Sequence, residues 1–360
     1  MNEKTVVFIT SSLSQPRIIK RILSIHNAGC HVKVYGYDRG IYNCNKFPDD
    51  ITVSIIGQQK DGADYISKIR QIRRDVRNIV SAEGKDAIFY AFGMIPTWFL
   101  SKCDVRYVYE ISDILYGYNK FKIIQPFAKQ LDRKLIKKSF FTVVTSQGFL
   151  DYLFNGKSVA NVVVQPNKLS RSLVGSPREP KTFNRDNITF AFIGAIRYTK
   201  TILRFARIIG EHFPNHQFHF YGESRLSGEF KKSTEAFNNV KYFGAYKNPE
   251  DLNSIYSNVD IVVACYEAEN LNERIAEPNK LYEAMFFCKP IIVSKDTFLA
   301  NQVNENKFGW VVDAYNDAEI IEFVKNISES SVSDIVKREM DINASTLIDD
   351  TQEIINRLHQ

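Results

Sequence analysis

At 360 residues the chain exceeds what one ordinary hydrophobic core serves and fits two domains. Hydrophobic residues make up 44% and charged residues 24%, which excludes a disordered or fibrous protein. A net charge of +6 keeps nucleic acid, lipid headgroups and phosphorylated substrates open as partners, while five scattered cysteines without a CxxC pair exclude a zinc ribbon and a disulfide framework.

From the N-terminus, "TVVFIT", "PRIIKRILSIHNAG" and "HVKVYGY" read as strand, helix and strand, a β-α-β unit. "DAIFYAF", "VRYVYEI", "FFTVVTS" and "NVVVQPN" follow as apolar runs suited to a parallel sheet covered on both faces. Residues 1–166 are therefore expected to form a doubly wound α/β domain. The polar stretch "KLSRSLVGSPREPKTFNRDN", with two prolines, marks a linker at 167–187. A second series occupies 188–331: strand "ITFAFIG", helix "KTILRFARIIGEHF", strands "HQFHFYG" and "NVKYFG", helix "PEDLNSIYSNV", strand "DIVVACY", helix "NKLYEAMFFC", strands "PIIVS" and "GWVVDA". Residues 332–360 are helical and are expected to cross back onto the first domain.

Several chemistries are missing. The first strand runs into "TSSLSQPR" without a glycine, so the dinucleotide fingerprint is lacking. There is no GxxxxGK[ST], GxSxG, HExxH or Asp-x-Asp, and the six histidines show no ligand spacing. No metal centre and no cofactor are expected. "MNEKTVVFIT" lacks the apolar core of a signal peptide, and "AIFYAFGMIPTWFL", broken by Gly93 and Pro96, is shorter than the roughly 18 residues of a spanning helix. A reducing cytoplasm is the expected setting.

The stretch "EPNKLYEAMFFCKPIIVS" (277–294) gathers Glu277, Asn279, Lys280 and Glu283 at the start of a short helix. In an open α/β domain, ligands sit beyond the carboxyl ends of the strands, where helix N-termini favour anions. Lys280 and Glu283, three residues apart, share one face. Spacing leaves two readings open: an ion pair along the helix, or a grip on a nucleotide, with the cation on a diphosphate and the carboxylate on ribose hydroxyls.

This stretch resembles the signature helix and strand of retaining, family-4-type glycosyltransferases with the GT-B fold, in which two Rossmann-like domains face a central cleft. "FAFIGAIRYTK" is similar to the family's strand, glycine turn, arginine and lysine; "FHFYGES", "VKYFGAY" and "PEDLNSIYSNVDIVVACY" extend the likeness over most of the chain. The resemblance implies a nucleotide-sugar donor held by Gly194, Gly222, Gly244, Asn279, Lys280 and Glu283, with Glu283 on the ribose and Arg197 and Lys200 on the departing diphosphate. Glu283→Ala is then expected to weaken binding with little effect on folding. The family's first glutamate, eight residues before Glu283, falls on Ile275, so which of the neighbouring Glu277 and Glu273, if either, holds the donor sugar stays open; Asp113, Arg197, Lys200 and Glu277 are the catalytic candidates. Cys288 replaces the usual glycine before Lys-Pro. In the first domain, "VYEISDILYGY" places Glu110 and Asp113 at a strand end on what the resemblance makes the acceptor side; both are candidates for binding the acceptor, and Asp113 either orients a hydroxyl or caps the next segment. Arg17, just after Pro16, leaves two readings open: a contact to an acceptor phosphate, or a solvated surface arginine.

Positive charge concentrates in two stretches. In "ISKIRQIRRDVRNIV" (66–80), Ile66, Ile69, Ile72, Val76 and Ile79 form an apolar stripe flanked by Lys68, Arg70, Arg73, Arg74 and Arg77; "KFKIIQPFAKQLDRKLIKKSF" (119–140) mixes the same ingredients. Two readings stay open: attachment to an anionic membrane, or stripes that pack on the sheet beneath solvated charges. Nucleic acid is not expected, since no recognition motif accompanies the charge. The expected activity is transfer of a sugar from a nucleotide donor to a saccharide or lipid-linked acceptor, with retention and without metal, in bacterial polysaccharide synthesis. The rivals are a nucleotide-sugar 2-epimerase of the same architecture and a non-catalytic saccharide-binding subunit.

Overall fold

A computed structural model describes residues 4–38, 47–58, 65–197, 199–224 and 227–360, and Cys44 lies outside them. The chain forms two units, Met1–Asn167 with Asp350–Gln360, and Lys168–Asp349.

In the first unit the elements run β1 (Thr5–Thr10), α1 (Pro16–His26), β2 (His31–Asp38), β3 (Thr52–Gln58), α2 (Tyr65–Glu83), β4 (Ile88–Phe92), α3 (Met94–Leu100), β5 (Tyr107–Ile111), α4 (Gln125–Lys138), β6 (Phe141–Val144), α5 (Gln147–Phe154) and β7 (Val162–Val164). Among the described residues the strands form one parallel seven-stranded sheet in the order β3-β2-β1-β4-β5-β6-β7. β1 and β4 are buried almost throughout, as their unbroken apolar runs demand. β3 is absent from the runs read off the sequence. It is an edge strand, exposed at Val53 and Ile55, so it lacks the two-sided burial that makes such a run legible.

The second unit contains β8 (Thr189–Ile193), α6 (Thr199–His212), β9 (Gln217–Tyr221), α7 (Ser227–Glu235), β10 (Val240–Gly244), α8 (Leu252–Ser257), β11 (Ile261–Ala264), α9 (Leu271–Ile275), α10 (Asn279–Phe286), β12 (Ile291–Ser294), α11 (Phe298–Asn306), β13 (Gly309–Val312), α12 (Asp317–Asn326) and α13 (Glu329–Asp341). Its parallel sheet has the order β10-β9-β8-β11-β12-β13. Strand alternation divides two cores: Ala191, Ile193, Val262 and Val293 face the layer holding α8 and α10, while Phe190, Phe192, Val263 and Ile292 face the layer holding α6 and α12. The last helix, α14 (Gln352–Leu358), belongs to the first unit. Ile354 and Leu358 are buried there beside Val6 and Phe141, and Arg357 donates to the Ala160 carbonyl at 3.0 Å. Of the stretch 332–360 expected to cross back, only Asp350–Gln360 belongs to the first unit, while α13 and the residues up to Asp349 stay in the second.

Arg178 pins α10. Its guanidinium donates to the carbonyls of Met285 and Phe286, at 3.0 Å each, to that of Ile342 at 2.7 Å, and to that of Glu339, so one side chain closes the C-terminal ends of α10 and α13. α10 then turns through Cys288, whose φ of 53° lies in the left-handed region where the related signature carries glycine.

Candidate active site

In the second sheet the order reverses between β8 and β11, and ligands of such sheets sit beyond the strand ends at that point. The segment after β8 and the segment after β11 meet there. The Thr201 hydroxyl donates to the Cys265 carbonyl at 2.5 Å, and the Lys200 backbone N–H donates to Glu267 Oε1 at 3.0 Å. The Lys200 ammonium reaches Glu269 Oε1 at 2.8 Å, and that bond holds its pKa above the ordinary lysine value. Arg197 is exposed on the same segment. Sequence reasoning misses Glu267 and Glu269, since "YEAEN" carries no spacing that ties it to Lys200. The one available signal is Glu267's place just after the end of β11.

The glycines are set by geometry. Gly194 has φ 139° and donates to the Tyr221 carbonyl at 2.8 Å; Gly222 has φ 138° and donates to the Gly244 carbonyl at 2.7 Å. A Cβ on Gly222 would fall 1.8 Å from the Gly194 carbonyl oxygen, and one on Gly194 would fall 3.0 Å from Lys280 Cε. Only glycine lets the three strand ends and the lysine come this close.

At the start of α10, Lys280 and Glu283 are 5% and 2% exposed, and Lys280 Nζ lies 2.5 Å from Glu283 Oε2. The same oxygen accepts the Tyr256 hydroxyl at 2.8 Å, while Oε1 accepts Asn279 Nδ2 at 2.6 Å. Burial pushes the Lys280 pKa down, but the negative charge of Glu283 and the hydrogen bonds that the ammonium donates to Glu283 and Tyr246 outweigh it and hold the pKa above its ordinary value. Lys280 is therefore a fixed cation beside the Gly194 turn. Of the two readings left open by spacing, the ion pair forms. It also corrects the expectation that losing Glu283 spares the fold, because its partner is a buried charge. Glu277, half-buried, accepts the Tyr282 hydroxyl.

In the first unit, Asp113 is exposed just past the end of β5, and Arg17 is partly buried at the start of α1 with its Nε lacking a hydrogen-bond partner among the described residues. Glu110 is different. It is fully enclosed, with Oε2 bonded to Arg21 Nε at 3.1 Å and to the Tyr90 hydroxyl at 2.5 Å. This carboxylate serves the interior of the unit, which corrects its assignment to an acceptor. No group of three or more His, Cys, Asp or Glu is placed to hold a metal among the described residues.

Residues 176–345, which contain the Gly194 turn, Lys200, Lys280 and Glu283, match the family model described as glycosyl transferases group 1. Over these 170 residues, just under half of the chain, the protein is similar to that family. Over the whole chain the structure is similar to sucrose-phosphate synthase from Thermosynechococcus elongatus, with 13% identity and a TM-score of 0.72 over 99% of this chain and 98% of that one. It is also similar to Anabaena HepE in complex with UDP and glucose (15% identity, TM-score 0.70, 99% and 98% covered) and to WaaG, a glycosyltransferase involved in lipopolysaccharide biosynthesis (12% identity, TM-score 0.71, 98% and 99% covered). No curated protein matches the chain at the sequence level. These likenesses show the GT-B fold with its two Rossmann-like units, and the family match over 176–345 makes the chain an enzyme of the glycosyltransferase class.

Proposed function

We propose that this glycosyltransferase moves a sugar from a nucleotide-sugar donor to a saccharide or lipid-linked saccharide acceptor, with retention of configuration and without a metal, in bacterial polysaccharide synthesis at the cytoplasmic face of a membrane. One observation carries the reading: the strand-end turn at Gly194 and the side chain of the buried Lys280 converge on one spot inside the matched domain, which supports a site for a diphosphate there. The relative HepE in complex with UDP and glucose supports a donor of that kind.

In this reading Glu283 uses the lone pairs left on Oε1 for the ribose, and Asn279 fixes that carboxylate. Arg197 and Lys200 neutralise the diphosphate as it departs, the moment at which its negative charge grows. Glu277 is the carboxylate proposed near the donor sugar. Asp113 and Arg17 are proposed for the acceptor, and stretches 66–80 and 119–140 for an anionic membrane surface. Among the described residues no helix is long and apolar enough to cross a membrane.

A thermal-shift screen against UDP, GDP, ADP and their sugars tests the donor, because a ligand that binds only the folded chain raises stability as RT ln(1 + [L]/Kd). One nucleoside diphosphate should shift the melt well beyond the others. No shift with any of them overturns the reading, and conversion of a nucleotide sugar to its epimer without acceptor selects the epimerase.

A further inference from the structure

We propose that the turn leading into α4 is a wedge that inserts Ile123, Ile124 and Phe127 into the headgroup layer of an anionic lipid bilayer. The inference rests on the membrane-proximal reading above and makes it specific. Ile123 is 90%, Phe127 77% and Ile124 50% exposed, an apolar cluster at the tip of a basic element. Tyr65 at the start of α2 packs its ring 6.1 Å from that of Phe121, two residues before Ile123, and its neighbour Ile66 is exposed.

The charges around this cluster name the partner. Between Asn119 and Lys138 the only acidic residue is Asp132, and it is buried, accepting the hydroxyls of Tyr109 at 2.7 Å and Tyr116 at 2.8 Å. α2 repeats the arrangement: Asp75 accepts the Tyr37 hydroxyl at 2.9 Å, and Glu83 accepts Lys33 Nζ at 2.8 Å. Both helices thus turn their carboxylates inward. Lys120, Lys122, Lys134 and Lys137 stay exposed on one, and Arg70, Arg73 and Arg77 on the other. An apolar tip ringed by cations fits a surface that is negative outside and apolar beneath, because lysine stems lie along the apolar layer while their ammonium groups meet phosphates. The stripe of α2 is divided in its use. Ile72, Val76 and Ile79 are buried in the unit, so they leave its arginines as surface charge and not as an inserting face.

Insertion differs from charge attraction in its response to salt. Attraction fades as the Debye length falls from about 10 Å at 0.1 M to about 3 Å at 1 M, whereas burial of apolar side chains does not. The test is co-sedimentation of the full chain with vesicles of phosphatidylglycerol and phosphatidylcholine, or of phosphatidylcholine alone, at both salt concentrations. The wild type is compared with the triple variant Ile123→Ser, Ile124→Ser and Phe127→Ser. Wild type should bind the anionic vesicles and keep a bound fraction at 1 M salt. The triple variant should lose that fraction, with affinity down by roughly 100-fold, while its nucleotide-induced thermal shift stays unchanged, which separates this proposal from the donor reading. In Phe127→Trp, the introduced indole should be quenched by lipids brominated near the headgroup, measured against the wild type with its own two tryptophans. Equal vesicle binding by wild type and triple variant, or an unquenched indole in the sedimented protein, overturns the wedge. So does a concentration-dependent dimer that the triple variant dissolves without any vesicle binding, since a second copy of the chain would then be the occupant.

Discussion

The ammonium of Lys280 and the carboxylate of Glu283 lie 2.5 Å apart, one turn of α10 from each other and both closed to solvent. Neither charge has water to fall back on. Removing Glu283 strands a buried cation, so Glu283→Ala should cost about 3 kcal/mol or more of folding stability as well as nucleotide affinity. Combining Glu283→Gln with Lys280→Met removes both charges and should recover most of the stability while binding stays lost. Denaturant melts and UDP titrations of the wild type and both variants check this, and a Glu283→Ala protein as stable as the wild type would refute the pairing.

The glycine turns make a sharper contrast. A Cβ on Gly222 meets backbone, the Gly194 carbonyl oxygen at 1.8 Å, and backbone cannot step aside. Gly222→Ala should therefore cost more than about 3 kcal/mol and leave little folded protein. On Gly194 the new methyl meets the stem of Lys280 at 3.0 Å, which can shift, so Gly194→Ala should fold with a penalty of about 1 to 2 kcal/mol for its left-handed φ. Its loss should appear in nucleotide affinity. Equal melting temperatures for the two variants would contradict the geometry.

What the sequence makes legible follows from which forces are local. The runs of β1, β4 and β8 announce themselves because strands buried on both faces are apolar at nearly every position. Lys280 and Glu283 are readable because helical spacing alone puts them on one face. The completion of their site is not. Tyr256, bonded to Glu283, comes from 27 residues earlier, and only the parallel crossover brings it over α10. The same holds for Glu110: its place at the end of β5 reads as a ligand position, and its burial depends on Arg21, 89 residues away. Edge strand β3 and the small helices α7, α9 and α11 lack a full apolar face, so neither period stands out in their sequences.

Lys200, proposed above to meet the departing diphosphate, is exposed and bonded to Glu269. Lys200→Ala should leave the melting temperature within about 1 °C, since exposed ion pairs contribute little. Turnover should drop by roughly 10- to 100-fold, with kcat affected more than KM, because the charge on the departing diphosphate is largest in the transition state. Arg197→Ala should act in the same direction. Steady-state kinetics with the donor identified by thermal shift decide the matter: unchanged kcat in both variants removes these side chains from the diphosphate. Adding EDTA should leave activity largely intact, and complete loss would require a metal.

Asp132 gives a pH signature in the first unit that is independent of the active site. Burial raises its pKa from the ordinary 3.8 to about 6, even though the hydroxyls of Tyr109 and Tyr116 pull it the other way. The folded chain thus holds this proton more tightly than the unfolded chain does, so the contribution is fully present below about pH 3.8 and is lost as pH rises through about 6. A difference of that size between the folded and unfolded chains is worth roughly 2 to 3 kcal/mol. Asp132→Asn keeps the size of the side chain and removes the titration. Other titrating groups, such as His219, whose pKa is lowered to about 4 by burial and by neighbouring Lys241 and Lys181, contribute equally to both proteins and cancel in the difference. Relative to the variant, the wild type should therefore lose about 2 to 3 kcal/mol between pH 4 and pH 7 in denaturant melts without vesicles. A difference that stays flat across that interval would mean that Asp132 is ionised in the fold at acid pH and that the two tyrosines outweigh its burial.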